Sequence, residues 1–398
     1  ARRSKKLPKG FNDGIVVILY KKGNRRDVRN YRPITLLNSD YKIMTRILAK
    51  RMLSIVTQFV SDNQIGFVPY TFIAESAMLV KLIQAHLDKI DDGGILVFCD
   101  LEKAFDRCDW NYLNKAIDRL KFTESHKSWF NLLYNEKQPP SRKAYVNGKL
   151  SRKYSVSVGV AQGCPLSPLT FLVIIESLTR LIDNDDRIQG LDLGGTVLKS
   201  RSFADDTWWF QRSHAEESHY GEHMKTFALG TNQVENETKR EKLPVGNFTK
   251  KRIEDLPGRS ENYTKQGEWL ISLGIPLGNG FSEFAFWKSL YEKAKSHLCK
   301  VSHLSAMSIV GRHRTLNANF YGRFRYWLWS LELNKEVDSW IISDAKSFLW
   351  TKNPEMEPTE KGSSKRIGKW INPAATPLPI KKGGGGVMNW KKNALRII

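Results

Sequence analysis

The stretch Ser202-Phe-Ala-Asp205-Asp206-Thr-Trp-Trp-Phe210 constrains this chain more than any other, because it sets two adjacent carboxylates inside an otherwise apolar run. Apolar, aromatic residues on both sides predict strands, and the acids between them predict a turn, hence a hairpin. Burying neighbouring carboxylates is costly unless a cation neutralises them. A hard ion such as Mg²⁺ suits oxygen donors of this kind. A second apolar run, Ile95-Leu-Val-Phe-Cys99, leads straight into Asp100. A carboxylate from a separate strand would complete a two-ion clamp, with ions about 3.5–4 Å apart, of the kind that serves phosphoryl transfer. Taken singly, Asp205-Asp206 also suits a solvated turn, and Asp100 a helix cap.

Between these acids lies Gly159-Val-Ala-Gln162-Gly163-Cys-Pro-Leu-Ser-Pro168. Two glycines permit close backbone approach, Gln162 offers amide donors and acceptors, and Pro168 starts a helix. Such a loop suits a phosphate or a base pair, or is an ordinary strand-to-helix connection. Elsewhere, Ile15–Tyr20 reads as a strand. Asp40–Val56 reads as a helix with Ile43, Ile47, Leu48, Met52 and Ile55 on one face, and Ala74–Ile90 as another with Met78, Leu79, Leu82, Ile83 and Leu87. Asp109 is placed to cap a helix ending near Leu120, and Ser167-Pro168 opens one through Ile182. Leu229–Asn262 reads as a polar connection. From about Trp287 the pattern is helical only, and the Pro-rich residues 372–379 with Gly383–Gly386 read as a linker before a short final helix. Strands and helices do not alternate regularly, which argues an α+β fold rather than a doubly wound sheet.

Charge narrows the partners. The chain of 398 residues carries a net +22, yet residues 1–51 alone hold 15 basic and 3 acidic side chains, and residues 361–398 hold 9 basic and none acidic. Two basic ends around a nearly neutral middle form an electrostatic footprint for a polyanion, or else solubilising tails. No apolar run approaches the roughly 18 residues of a membrane span, so no membrane partner is expected. The first residues lack the apolar core of a signal peptide, and secretion is not expected either. Four unclustered cysteines suggest neither a zinc cage nor a disulfide framework. Because the chain lacks an initial Met and stops inside an apparent helix, it reads as a fragment of something larger.

In this order the motifs are specific, and the sequence resembles the reverse transcriptases of non-LTR (LINE-type) retrotransposons over nearly its whole length. Ile-Leu-Tyr-Lys21 and Asn30-Tyr-Arg32-Pro-Ile-Thr-Leu-Leu-Asn38 are similar to the first fingers blocks of that family, and Gln64-Ile-Gly-Phe67 to the next. Asp100 to Asp106, Gln162–Pro168 and Phe203–Asp206 match three palm motifs. Asn236-Glu-Thr-Lys239 resembles the one that follows, and Leu273-Gly274-Ile-Pro276 the primer-grip turn. Leu304 to Arg312, Tyr326 and Phe348-Leu-Trp350 are similar to the thumb and the region beyond.

The resemblance implies an α+β right-hand polymerase whose antiparallel palm sheet carries the Asp-Asp hairpin. Its implied parts are a basic N-terminal segment with fingers (1–94), palm (95–280, with a fingers insertion at about 110–155), helical thumb (281–352) and a basic C-terminal segment (353–398). It implies RNA-directed DNA synthesis with two Mg²⁺ ions, or Mn²⁺ in their place, held by Asp100, Asp205, Asp206 and the Leu101 carbonyl. Lys21 and Arg32 would hold the triphosphate, Phe105 would exclude a 2′-OH, Gln162 and Gly163 would position the incoming nucleotide, and Lys239 would protonate the pyrophosphate. Leu273 and Gly274 would grip the primer. The implied partners are an RNA template, a DNA or RNA primer and dNTPs, with an endonuclease on a missing segment or a separate protein. The implied setting is a ribonucleoprotein of nucleus and cytoplasm, serving transposition. Two other classes share parts of this pattern: an RNA-dependent RNA polymerase, disfavoured by Phe105 and by Ala204 before the acids, and a non-catalytic RNA-binding scaffold, which has no need of all three acids. The sequence departs from the family after Phe67, where Val-Pro-Tyr-Thr-Phe-Ile-Ala-Glu75 replaces a small basic segment. It departs again at Trp208-Trp209, bulkier than the aliphatics expected there.

Overall fold

A computed structural model describes residues 6–250, 262–302 and 307–350. They fall into two compact units divided between Lys265 and Gln266, with Ser76–Met78 grouped with the second. The first unit opens with the antiparallel pair β1 (Gly14–Tyr20) and β2 (Tyr31–Leu37), followed by helices α1 (Ser39–Leu53) and α2 (Ala74–Ile90) and strand β3 (Gly93–Cys99). Helices α3 (Trp110–Arg119) and α4 (Glu124–Leu133) come next, then β4 (Ser141–Val146) with the short β5 (Lys149–Leu150) and β6 (Tyr154–Ser155). The unit continues through α5 (Ser167–Asp183), the small ladder of β7 (Leu191–Asp192) and β8 (Val197–Leu198), the hairpin β9 (Ser200–Phe203) and β10 (Asp206–Gln211), α6 (Ala215–Thr231) and β11 (Glu241–Gly246).

Two sheets result. Strands β2, β1, β4 and β5 lie side by side, with β6 also on β4. The second sheet, in the order β11-β3-β10-β9, is antiparallel throughout. Its strand β3, Gly-Gly-Ile-Leu-Val-Phe-Cys, is buried along its whole length, as an all-apolar strand must be when both faces are covered. Helix α5 is apolar nearly all round and correspondingly buried; Phe171, Leu172, Ile174, Ile175 and Ile182 are sealed from solvent. Pro168 stands in its first turn, where the missing N–H costs nothing. The Asp109 carboxylate accepts from the Tyr112 amide at 2.7 Å and caps α3 as expected. The fold is therefore mixed α+β with an antiparallel sheet.

Three details differ from the sequence reading. Helix α1 buries Tyr41, Thr45, Leu48 and Met52, while Ile43 and Ile47 face outward. Helix α2 likewise buries Ala77, Val80, Ile83 and Leu87 and exposes Met78 and Leu82. Both sequences carry apolar residues on more than one face, so periodicity alone cannot choose the stripe that packs. The third concerns Leu229–Asn262, read as a connection: α6 runs on to Thr231, and β11 pairs with β3 in the register Leu243↔Leu96. Lys242, 2% exposed, and Pro244 disguise this strand. Glu217 accepts a 2.8 Å bond from the Lys242 ammonium, which makes its burial tolerable, and an edge strand tolerates proline.

The second unit begins with the hairpin β12 (Leu270–Ser272) and β13 (Ile275–Leu277) and continues in helices α7 (Glu283–Ser302), α8 (Ile309–Thr315) and α9 (Lys335–Trp350). Trp287, Leu316, Phe320, Phe324, Ile341 and Phe348 form its core. The Tyr326 hydroxyl donates to the Leu273 carbonyl at 2.7 Å, and the Trp327 indole to the Gly274 carbonyl at 2.8 Å. Expectations for residues 353–398, and for Leu304, lie outside the described residues.

Candidate active site

Three carboxylates arise from two neighbouring strands. The register pairs Thr207 with Cys99, so Asp206, starting β10, and Asp100, just after β3, emerge at the same end of the sheet. Asp205 sits with Ala204 in the two-residue turn joining Phe203 to Asp206. Burial raises the Asp205 carboxyl above its ordinary range; the Asp100 charge adds to this, while Lys21 and Arg32 oppose it. Asp206 is pushed up to about 6, first by burial and then by the charges of Asp205 and Asp100, with Lys21 and Lys239 pulling the other way. Desolvation lowers Lys21, and the charges of Arg32 and Lys239 lower it further. The three acids and three cations singled out from the sequence thus share one electrostatic neighbourhood.

Lys239 is delivered there by a backbone clasp. Past the left-handed Asn232, the Glu102 amide donates to the Val234 carbonyl and the Asn236 amide to the Asp100 carbonyl, both at 2.8 Å. The short turn Glu237–Lys239 follows, and the Lys239 ammonium bonds the Asp100 carboxylate. The clasp uses the Asp100 carbonyl and the Glu102 amide but not the Leu101 carbonyl. Behind Lys239, Arg240 grips Glu235 through two bonds, 2.8 and 2.6 Å long, and lies over the Trp209 ring. Sequence reasoning passed over Arg240 and Glu235. Their adjacency to the Asn236–Lys239 motif was the available signal.

A second lattice holds Phe105, Gln162 and Gly163. Val160 donates to the Phe105 carbonyl at 2.7 Å, and Thr35 of β2 to the Gln162 carbonyl at 2.7 Å. A Cβ on Gly163 would stand 2.5 Å from the Thr35 carbonyl oxygen, and its φ of +128° is one that side chains rarely adopt; glycine is required. The Gln162 amide donates to both oxygens of Asp106, at 3.3 and 3.4 Å. Burial raises Asp106, and the Gln162 bond opposes it. The Phe105 ring stacks on Phe171 at 5.3 Å and meets Phe67 edge-on at 6.5 Å. Trp208 lies edge-on to Phe98 of the neighbouring strand, and Trp209 lies flat on Tyr220 of α6. Leu273 and Gly274 belong to the second unit.

The donors suit a hard cation: all three are carboxylates, and burial makes Asp205 and Asp206 costlier to ionise without one. Among the described residues, no three His, Cys, Asp or Glu side chains are gathered as a finished metal cage.

The profile of the family described as reverse transcriptase (RNA-dependent DNA polymerase) matches residues 20–256, more than half of the chain. This chain belongs to the reverse transcriptase family. It is similar over 390 residues, at 25% identity, to the transposon TX1 uncharacterized 149 kDa protein of Xenopus laevis, covering 96% of this chain and 28% of that one. Over 200 residues it is 25% identical to the retrovirus-related Pol polyprotein from the type-2 retrotransposable element R2DM of Drosophila melanogaster, covering 50% and 18%. Over 181 residues it is 28% identical to the RNA-directed DNA polymerase from the mobile element jockey of Drosophila melanogaster, covering 43% and 19%. The resemblance drawn from the motifs is thereby borne out. The chain spans between 18% and 28% of the length of these relatives. A structure of telomerase from Candida tropicalis with a fragment of telomeric RNA aligns over 88% of this chain and 60% of that one, at 11% identity and a TM-score of 0.47.

Proposed function

We propose that this chain is an RNA-directed DNA polymerase that copies retroelement RNA by extending a primer with dNTPs. The observation that carries the reading is the shared electrostatic neighbourhood of Asp100, Asp205 and Asp206 with Lys21, Arg32 and Lys239. In it the antiparallel sheet serves as palm, the β1–β2 region as fingers and the helices of the second unit as thumb. Asp100, Asp205, Asp206 and the Leu101 carbonyl would hold two Mg²⁺ ions, or Mn²⁺. When bound, these ions supply charge that offsets the phosphate and the attacking and leaving oxygens.

The remaining work falls to the chain's own groups. Lys21 and Arg32 bind the triphosphate, and their cationic charge favours the developing negative charge of the transition state. Phe105, held flat by Phe171, presents a ring to the sugar and excludes a 2′-hydroxyl. Gln162, oriented by Asp106, and the bare backbone at Gly163 border the incoming nucleotide. Lys239 gives a proton to the departing pyrophosphate, and its contact with Asp100 holds that ammonium in position. In the second unit, the Leu273–Gly274 turn grips the primer. Such an enzyme works within a ribonucleoprotein of nucleus and cytoplasm, and any endonuclease step falls to another segment or protein.

The experiment is single-nucleotide extension of a primed RNA by Asp100→Asn and Asp205→Asn chains. Incorporation should fall at least about a thousandfold, some 4 kcal/mol of transition-state stabilisation, while RNA binding stays within twofold. Activity within tenfold of the unaltered chain in either variant overturns the assignment.

A further inference from the structure

We propose that Gln64 is a positioning residue that clamps the Asp205 turn and sets where that carboxylate stands. The inference rests on the polymerase reading for its consequence, but on its own geometry for the clamp. Ala204, the first residue of the turn, has a φ of +59°, a left-handed conformation that costs an alanine free energy and favours glycine. Something must hold it there. The Gln64 side chain, 1% exposed, does so with both ends of its amide. Its Oε1 accepts from the Ala204 amide at 3.0 Å and from the Gly66 amide at 2.8 Å, while its Nε2 donates to the Ala204 carbonyl at 3.4 Å.

The glutamine is itself held. Ile65 donates to the Ser202 carbonyl at 2.9 Å and Ser202 to the Asn63 carbonyl at 2.8 Å, so residues 63–65 run beside β9 as a short parallel addition to the sheet. The Ser61 amide donates to Glu176 at 3.0 Å and the Asn63 side chain to Asp183 at 3.1 Å, which ties this strap to the buried helix α5. Gly66 lies so close that a Cβ there would stand 2.1 Å from the Ala204 nitrogen. Backbone, side chain and helix thus converge on the residue that precedes Asp205. An isolated two-residue turn with an alanine in this conformation would sample other geometries. A site that must hold its ligands within a fraction of an ångström cannot use such a turn unsupported.

Gln64→Leu keeps the volume and removes every bond of the clamp, leaving two buried amides without an acceptor. In that chain, amide exchange over residues 200–210 should quicken at least tenfold while α5 and β3 keep their protection. On primed RNA, kcat should fall at least tenfold, with KM for dNTP and RNA affinity changed less than threefold. A merely structural residue would lower active fraction and stability without this split. Ala204→Gly in the Gln64→Leu background should restore part of kcat, because glycine adopts the turn without help. Exchange and kcat both within twofold of the unaltered chain would overturn the proposal, as would a failure of Ala204→Gly to rescue. Should Gln64→Leu not fold, exchange in the unaltered chain decides: the Ala204 amide must be as protected as Ser202, and free exchange there refutes the clamp. If the unaltered chain extends no primer, the polymerase reading fails while the exchange measurement still judges the clamp.

Discussion

Two hairpin turns in this molecule have the same length and opposite construction. Ala204–Asp205 joins β9 to β10, and Leu273–Gly274 joins β12 to β13. In each, a residue other than glycine adopts positive φ, +59° at Ala204 and +50° at Leu273. The first turn is stabilised from within the sheet by a buried glutamine on its own amide and carbonyl. The second is held through its outward carbonyls by Tyr326 and Trp327, and pairs its strained leucine with a glycine at φ +79°. The first arrangement fixes a charged side chain at one point. The second fixes backbone and leaves Leu273 half-exposed. On the proposed polymerase reading, placing a carboxylate and gripping a primer call for these two solutions respectively.

Perturbing each turn sharpens the contrast. The largest expected effect is on stability at the acidic turn. Asp206 binds its proton up to about pH 6 when folded but only to about 3.8 unfolded, so the native state holds more protons between these values. Stability in chelator should therefore fall as pH rises through this window, by as much as about 3 kcal/mol from this group. Asp206→Asn should raise the melting midpoint at pH 8 and flatten its change between pH 4 and 7, while abolishing primer extension. A variant no more stable than the unaltered chain at pH 8 would mean that the carboxylates are not crowded.

Next in size is sugar selection, measured by incorporation of one dNTP against one NTP on primed RNA. Phe105→Ala should raise ribonucleotide use relative to deoxynucleotide at least about tenfold, roughly 1.4 kcal/mol. An unchanged ratio would make the Phe105–Phe171 stack core packing alone. The smallest effect belongs to the other turn. Leu273→Asn puts the favoured Asn-Gly pair in a turn with two positive φ values, so stability should hold or rise by about 0.5–1 kcal/mol. Extension should fall only a few-fold, as should that of Tyr326→Phe, which loses one bond to the Leu273 carbonyl. If Leu273→Asn proves as harmful as a change at Asp205, the division of labour between the turns collapses.

How much of this was legible in the sequence depended on whether the signal was local. The strand into Asp100, the Asp-Asp hairpin, the Asp109 cap and the Pro168 helix start each announce themselves within a few residues. Glu241–Gly246 did not, because the charge that makes Lys242 tolerable in a strand is Glu217, on another element. Exposed Ile43 and Ile47 misled because α1 carries two apolar stripes and only tertiary packing chooses between them. Gln64 stood within a recognised motif, yet its bonds to the Ala204 backbone reach 140 residues along the chain, which no window of sequence contains.

The measurement that tests the account most directly is incorporation of a single labelled dNTP into a primed RNA by this 398-residue chain, with Mg²⁺ and again in chelator. The account predicts templated extension that appears only with the divalent ion and disappears on Asp205→Asn. A chain that binds the primed RNA and, with Mg²⁺ supplied, adds no nucleotide, or one that extends equally well in chelator, would contradict it.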